Sequence, residues 1–399
     1  MMRLRTLRAG TPGAILVAVV FATAHLLLAA QGRRVVSLPG APASIYSPAV
    51  AADGLIYTAS VQSPDPAQPE GDVGAETRRV LERLGQVLTA SGSSLGQVAS
   101  MSVYLKRPTD FDAMNAVYRE FVTGSLPVRT TVVTELANRA QVEMSAIAVP
   151  AGAPREAMHP AGWMKSPRPY SYIVRAGGLV FLAGLVSRRG IDDQIVPGSI
   201  AVQTRTILDN AGVLLKTAGL TYDDVVAARI FLTDDTLFEG MNGEYRKYFH
   251  DKPPARSTAI AGLVGTSETQ IEITLIASAI GKQTLGPQLA PTLPVSSAVR
   301  AGSYVFLSGV LGETDTNHDN VAAQSREALL RVGKTLEAAG VTFADVVDST
   351  IYVTDIWQRE KVDEVFGEFF PRQPPARTMV GAKLSTRNAA VEMLLTVVK

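Results

Sequence analysis

Hydrophobic and polar positions along this chain follow one pattern that occurs three times. Each copy has a short apolar strand, an amphipathic helix that ends at a glycine, a second strand, a second helix and further strands. In the first helices, apolar residues at spacings of three and four lie on one helical face. These residues are Val80, Leu84 and Val87, then Ile207, Ala211 and Leu214, and then Leu329, Val332 and Leu336. Copies of about 120 residues predict three domains and not a solenoid of short units.

Glycines, arginines and glutamates mark equivalent places in the three copies. The first helices end at Gly92, Gly219 and Gly340, where glycine suits a left-handed cap. An arginine follows each glycine at the same distance, and these arginines are Arg129, Arg256 and Arg377. A later strand carries Glu143, Glu272 or Glu392. The recurring arginine and glutamate are therefore the strongest candidates for chemistry.

The order of elements predicts an α+β fold in which two helices cover one face of a mixed sheet. In the final strand of the second copy, Ile271, Ile273 and Leu275 lie on one face. Glu272 and Ile276 lie on the other face, which is thus partly apolar and needs a cover. We expect the three sheets to pack against one another through these second faces.

Composition removes several classes of site. The chain of 399 residues has no cysteine and four histidines, no two of them close together, which argues against disulfides, thiolate chemistry and zinc or iron sites. A Ser-His-Asp hydrolase is poorly supported for the same reason. The net charge of +1 gives no electrostatic footprint for nucleic acid. We expect no metal and no organic cofactor.

Residues 1–31 differ from the repeats. Three arginines precede an apolar run from Ala14 to Ala30 that only one threonine and one histidine interrupt. A positive head followed by a hydrophobic stretch and small residues is typical of a secretory signal peptide. The alternative is an uncleaved membrane anchor, since about 17 residues is the lower limit for a span. Both predict a periplasmic or extracellular protein, which contacts a membrane through this leader only if the leader is uncleaved.

The ends of the copies resemble the Rid/YjgF family of reactive-intermediate imine deaminases. The motifs are Pro253-Pro-Ala-Arg256-Ser and Pro374-Pro-Ala-Arg377-Thr, followed by Gln270-Ile-Glu272-Ile and Ala390-Val-Glu392-Met. The resemblance covers residues 36–150, 158–282 and 288–399. It implies three tandem chorismate-mutase-like domains. Family members are usually homotrimers with ligand clefts between subunits, so it also implies a monomeric intrachain pseudo-trimer around a central barrel.

The resemblance also implies roles for particular residues. The arginines Arg129, Arg256 and Arg377 would clamp a substrate carboxylate, and Glu143, Glu272 and Glu392 would position water or move a proton. Substrate-binding residues would be Tyr46, Tyr170, Gly184, Ser308 and Gly309. No single copy has the full set, because Val295 replaces the tyrosine in the third copy. Ser-Gly is replaced by Ala59-Ser60 in the first copy and by Ala183-Gly184 in the second. Clefts between copies would combine residues from two repeats.

The implied reaction is hydrolysis of a 2-imino or 2-enamino acid to a 2-keto acid and ammonia. A planar guanidinium holds a carboxylate through two hydrogen bonds, and a nearby carboxyl group exchanges protons through water. One alternative is a protein that binds small carboxylates without turnover. Another is a ribonuclease or translation inhibitor, against which the neutral charge and the leader both count. A purely structural alternative is an Arg–Glu ion pair inside each repeat that ties its last two strands together.

Overall fold

The computed structural model describes residues 32–38, 40, 44–63, 72–288, 293–318 and 320–399. The predicted leader lies outside these residues, so its role stays a prediction. No helix in the described ranges is both long and apolar enough to cross a membrane.

Repeat 1 is a mixed sheet with two helices on one face. Its elements are β1 (Arg34–Val36), β2 (Ala49–Ala52), β3 (Leu55–Thr58), α1 (Val73–Ala90), β4 (Val98–Leu105), α2 (Phe111–Phe121), β5 (Val128–Val133) and β6 (Val142–Ala148). The strand order is β1-β2-β3-β6-β4-β5. Strands β4 and β5 are parallel and the other neighbours are antiparallel. Both helices pack on one apolar face of this sheet.

Repeat 2 has the same architecture. Its elements are β7 (Arg155–Met158), β8 (Ile173–Ala176), β9 (Leu179–Leu182), α3 (Ile200–Thr217), β10 (Val225–Leu232), α4 (Phe238–Tyr245), β11 (Ala255–Ile260), β12 (Gly262–Leu263) and β13 (Ile271–Ser278). The strand order is β11-β10-β13-β9-β8-β7, with β10 and β11 parallel. Helix α4 ends at Tyr245, and the chain continues in turns.

Repeat 3 completes the series. Its elements are β14 (Gln283–Gln288), β15 (Ser296–Ala301), β16 (Tyr304–Leu307), β17 (Val310–Leu311), α5 (Val321–Ala338), β18 (Val346–Val353), α6 (Arg359–Phe369), β19 (Ala376–Gly381), β20 (Lys383–Leu384) and β21 (Val391–Val398). The strand order is β14-β15-β16-β21-β18-β19, and β17 also pairs with β21. The α+β class with a mixed sheet is therefore confirmed in all three repeats.

The three long helices α1, α3 and α5 begin and end with matching local chemistry. At their first turns the side chains of Asp72, Ser199 and Asn320 accept a hydrogen bond from the N–H three residues later. Just past their last turns, Gly92, Gly219 and Gly340 have φ angles of +81°, +75° and +67°. The left-handed caps predicted from sequence are thus confirmed, since glycine has no Cβ to oppose this conformation.

Short strands from one repeat extend the sheet of another. Strand β12 pairs with β5 of repeat 1, and β20 pairs with β11 of repeat 2. A single bridge joins Glu135 to Gly381. Among the described strands, no ladder closes the three sheets into one ring. The predicted central barrel is therefore wrong. The strand pairings between repeats involve two residues or fewer, so they extend the edge of each open sheet without closing it.

The inner faces of the three sheets pack against one another. Two apolar clusters draw residues from all three repeats. Aligned aromatic residues contribute to both clusters, namely Tyr57, Phe181 and Phe306 in one and Tyr104, Phe231 and Tyr352 in the other. The prediction that the second sheet faces cover one another is confirmed by these contacts.

An internal cavity of about 70 Å³ lies between the three sheets. Arg229 of repeat 2 and Asp348 of repeat 3 line it, with their charged atoms 3.9 Å apart. Burial raises the pKa of Asp348 to about 6. The equivalent strand positions of the other repeats carry no charge, so this pair distinguishes the three repeats from one another.

Candidate functional site at the repeat boundaries

The arginine-bearing strand of each repeat lies against the repeat that follows it in a cycle. The carbonyl oxygen of Arg129 accepts from Gly184 N at 3.0 Å, and that of Arg256 accepts from Gly309 N at 3.0 Å. The carbonyl oxygen of Arg377 accepts from Ser60 N at 3.1 Å, so repeat 3 meets repeat 1 in the same way. These three boundaries are called the first, second and third sites below.

Each site joins the arginine of one repeat to the glutamate of the next. The pairs are Arg129 with Glu272, Arg256 with Glu392 and Arg377 with Glu143. Within a repeat the arginine and the glutamate are separated, because β4 lies between β5 and β6 and the other sheets have the same order. The alternative of an Arg–Glu ion pair inside each repeat is therefore wrong.

The first site is built around a buried guanidinium. Arg129 is 3% exposed, and its guanidinium lies 4.9 Å from the ring centre of Tyr118 and 5.9 Å from that of Tyr170. Tyr170 comes from repeat 2, so the predicted tyrosine does reach the arginine of another repeat. Glu272 Oε1 accepts a hydrogen bond from Thr131 N at 3.3 Å. A Cβ on Gly184 would lie only 1.9 Å from Glu272 Oε1, so glycine leaves the space that this carboxyl occupies.

The second site repeats this arrangement with differences at Ser308 and Val295. The Arg256 guanidinium lies 5.0 Å from the ring centre of Tyr245, and Arg256 N donates to Ser308 Oγ at 2.8 Å. A Cβ on Gly309 would lie 1.7 Å from Glu392 Oε1. Val295 stands where the first site has a tyrosine, so no ring from repeat 3 covers this guanidinium in the described residues. Ser308 thus acts on the backbone of the arginine strand.

The third site opens into a cleft of about 970 Å³. The Arg377 guanidinium lies 4.9 Å from the ring centre of Tyr46, which repeat 1 supplies. Gln62 Nε2 donates to Glu143 Oε2. Asp363 Oδ1 lies 2.7 Å from Arg377 Nη2 and forms an ion pair with it. Ser60 occupies the position of Gly184 and Gly309, so this site departs furthest from the other two.

Burial gives the three carboxyl groups unusual proton affinity. It raises the pKa of Glu272 and of Glu392 to about 8 and that of Glu143 to about 7. In each case a nearby arginine and a hydrogen-bond donor oppose the shift without cancelling it. Because these pKa values lie near neutrality, each carboxyl group can both give and take a proton.

Each guanidinium keeps one buried nitrogen without a partner. Among the described residues, no hydrogen bond reaches Nη1 of Arg129, Arg256 or Arg377. Buried donors are normally satisfied, and an orphan donor of this kind points to a missing ligand or water. Of the three arginines, only Arg377 forms an ion pair within the described part of the chain. The first and second sites therefore hold a positive charge with spare donor capacity.

Sequence reasoning missed a position on the second helices. Asn115, Asn242 and Asp363 each precede their arginine by the same number of residues. Asn115 is 3% and Asn242 is 1% exposed, and both have side-chain atoms without hydrogen-bond partners in the described structure. The sequence did contain a signal for this position, because a polar residue recurs there in all three repeats on an otherwise apolar helix face.

The described residues contain no group of three or more His, Asp or Glu side chains arranged to hold a metal ion. The first and second sites instead each combine one guanidinium and one carboxyl group with amide or hydroxyl groups, and the third site adds the carboxylate of Asp363. This set suits a small organic anion and its proton transfers.

Comparisons with known proteins agree with this architecture. A family model described as endoribonuclease L-PSP matches residues 38–150, 163–279 and 286–399. A RutC family protein of Sulfurisphaera tokodaii is 38% identical over 117 residues, which cover 29% of this chain and 93% of that protein. A 2-iminobutanoate/2-iminopropanoate deaminase of Mus musculus is 37% identical over 123 residues, covering 29% of this chain and 91% of that protein.

A solved structure of a chorismatase matches 86% of this chain and 99% of its own, with a TM-score of 0.52 and 14% sequence identity. At this identity the likeness concerns the fold alone. The curated relatives each correspond to one repeat, and the family model matches all three. The chain therefore belongs to the endoribonuclease L-PSP (Rid/YjgF) family and carries three tandem copies of its domain.

Proposed function

We propose that this protein hydrolyses reactive 2-imino and 2-enamino acids to 2-keto acids and ammonia at its repeat boundaries. The observation that carries this proposal is the pairing of a buried arginine that has a free donor with a carboxyl group of raised pKa from the next repeat. Relatives named as 2-iminobutanoate/2-iminopropanoate deaminases, which match single repeats, support the same reaction class.

The arginine binds and orients the substrate. A planar guanidinium accepts a carboxylate in a forked geometry, and Nη1 of Arg129 or Arg256 is available for it. Tyr118 and Tyr245 lie under these guanidinium groups and fix their planes. Holding the carboxylate fixes the imine carbon beside the carboxyl group of Glu272 or Glu392.

The glutamate moves the protons. In its protonated form it gives a proton to the imine nitrogen, and it then takes one from the water that adds to the imine carbon. The resulting carbinolamine loses ammonia after its nitrogen is protonated and its hydroxyl group is deprotonated, which leaves the carbonyl of the keto acid. A 2-enamino acid instead receives the proton from the glutamate at its β-carbon, which gives the same iminium ion for water to attack.

The test is release of keto acid from freshly generated 2-iminobutanoate by the purified protein. We expect acceleration over the uncatalysed reaction, and loss of that acceleration when Arg129, Arg256 and Arg377 are all changed to lysine. Lysine keeps the positive charge but lacks the forked donor geometry. An unchanged rate in the triple variant, or no acceleration by a folded wild-type protein, would contradict the proposal.

A second candidate function is capture of small carboxylates without turnover. Two features favour capture without turnover. Val295 stands in place of the tyrosine at the second site, and Asp363 forms an ion pair with Arg377 at the third site. Saturable binding of a 2-keto acid without any acceleration of imine hydrolysis would identify this function. The neutral net charge gives no comparable support to a ribonuclease.

We also propose that the working form is one exported chain acting as a covalent pseudo-trimer. The apolar run in residues 14–30 supports export, and the sites shared between repeats support the pseudo-trimer. Fractionation of cells and light scattering of the purified protein test these two points.

A further inference from the structure

The third site differs from the other two in the residue that faces its arginine. At the same position of the second helix, repeats 1 and 2 carry Asn115 and Asn242, whereas repeat 3 carries Asp363. Three residues further along the helix, Tyr118, Tyr245 or Phe366 lies beneath the guanidinium group of its own repeat. Residues three apart lie on one helical face, so the helix presents this position to the arginine in every repeat.

Asp363 pairs with the guanidinium group of Arg377, which a substrate carboxylate would otherwise bind. Its Oδ1 atom lies 2.7 Å from Arg377 Nη2. The side chain of Arg377 is 5% exposed and that of Asp363 is 26% exposed, and both line the third cleft. The acid is therefore the more accessible partner, and an entering carboxylate would meet a like charge beside an arginine that is already neutralised.

A second exchange accompanies the first. Phe111 and Phe238 of the first two repeats correspond to Arg359 in the third. Arg359 lines the third cleft and acts electrostatically on both Arg377 and Glu143. The two exchanges add charges of opposite sign, so the net charge of the site is kept while a carboxylate replaces the neutral amide next to Arg377.

We infer that Asp363 is a specificity-determining residue that excludes 2-imino and 2-keto carboxylates from the third site, so that a chain binds two such molecules and not three. This inference rests on the proposed function, because it takes the arginine of the other sites as the receiver of the substrate carboxylate. The neutral amides of Asn115 and Asn242 leave that receiver free in the first and second sites.

The experiment counts bound 2-oxobutanoate, the keto-acid product, per full-length chain by titration calorimetry. We expect two molecules for the wild type and three for Asp363→Asn, in which the side chain keeps its shape and loses its charge. The matched control is Glu364→Gln, which removes an exposed acid from the same helix and should leave the count at two. The reciprocal change Asn115→Asp should lower the count to one.

The outcomes separate the inference from the proposed function. Three molecules on the wild type would mean that Arg377 or Arg359 accepts the carboxylate beside Asp363, and would overturn the inference. A count that stays at two in a folded Asp363→Asn protein would also overturn it. Binding that appears only in Asp363→Asn would show that Asp363 excludes the carboxylate from the third site, but it would contradict the count of two and the proposed function at the first two sites. No binding to any variant would contradict both.

Discussion

At the scale of single residues, burial gives the candidate glutamates their chemistry. Glu272 and Glu392 are 3% and 6% exposed, and burial raises the pKa of each to about 8. An ionised carboxylate in this position would have lost most of its hydration, whereas the protonated form loses much less. Burial therefore favours the protonated form of each glutamate at neutral pH.

The raised pKa values predict a pH dependence of stability. Below the ordinary carboxyl pKa near 4.5, these glutamates are protonated in both the folded and the unfolded chain. Their contribution to the free energy of unfolding is then fully present. As the pH rises toward about 8, only the folded chain holds the proton, so the free energy of unfolding falls. We expect thermal unfolding midpoints to decrease from pH 5 to pH 8, and to decrease less in Glu392→Gln.

The control for this prediction is Glu364→Gln, because Glu364 is exposed and its removal should not alter the slope. Equal slopes in the wild type and in Glu392→Gln would show that Glu392 ionises normally in the folded protein.

A second prediction at this scale concerns the glycine next to a glutamate. In Gly184→Ala the new Cβ would lie 1.9 Å from Glu272 Oε1, so the carboxyl group must move. We expect the first site to lose its share of keto-acid release, while the second site continues. Gly243→Ala is the matched control, since a Cβ at Gly243 would meet no atom within 4 Å. Equal activity in both variants would place Glu272 outside the reaction.

Sequence reasoning reached most of these residues but not their partners. The spacing of the arginines and glutamates is visible along the chain, whereas Asn115 and Asp363 lie in helices whose periodicity drew attention to apolar positions. The raised pKa values depend on burial of each glutamate against the preceding repeat in the cycle, and such burial leaves no trace in the local sequence.

At the scale of elements, the tight turns of the β2–β3, β8–β9 and β15–β16 hairpins meet at one place. The hydroxyl group of Tyr304 lies 2.7 Å from the carbonyl oxygen of Asp53 in repeat 1 and 3.1 Å from that of Gly177 in repeat 2. One side chain of repeat 3 therefore links the hairpins of the other two. The tyrosine is fully buried, so its loss leaves carbonyl groups without this donor.

This contact predicts the effect of Tyr304→Phe. Removing a buried hydroxyl group and leaving its acceptors unsatisfied costs about 1–3 kcal/mol of stability. We expect a lower midpoint in chemical denaturation with little change in the secondary structure seen by circular dichroism. Tyr248→Phe serves as the control, because the Tyr248 hydroxyl bonds to Asp209 in an exposed position. A similar loss in both variants would argue against a special role for the junction of the hairpins.

The elements themselves were largely predictable, because helical spacing and glycine caps are local signals. The two-residue strands β12 and β20 were not, since they are defined only by their partner strands in other repeats. This is also why the expected barrel failed, because closure depends on edge contacts that no single repeat contains.

At the scale of the whole molecule, three copies of one domain have become three different sites. The first site has both tyrosine and glycine, the second lacks the tyrosine, and the third has Ser60 and Asp363. The inner cavity is asymmetric as well, with Arg229 facing Asp348. A single chain allows such divergence, whereas identical subunits would place every exchange in all three sites at once.

The second site joins Arg256 of repeat 2 to Glu392 of repeat 3. The most direct test compares two double variants in keto-acid release from 2-iminobutanoate. Arg256→Lys with Glu392→Gln should disable only the second site and retain about the activity of Arg256→Lys alone. Arg256→Lys with Glu272→Gln, two changes within repeat 2, should disable the first and second sites and abolish release. The opposite ranking of the two variants would contradict sites shared between repeats.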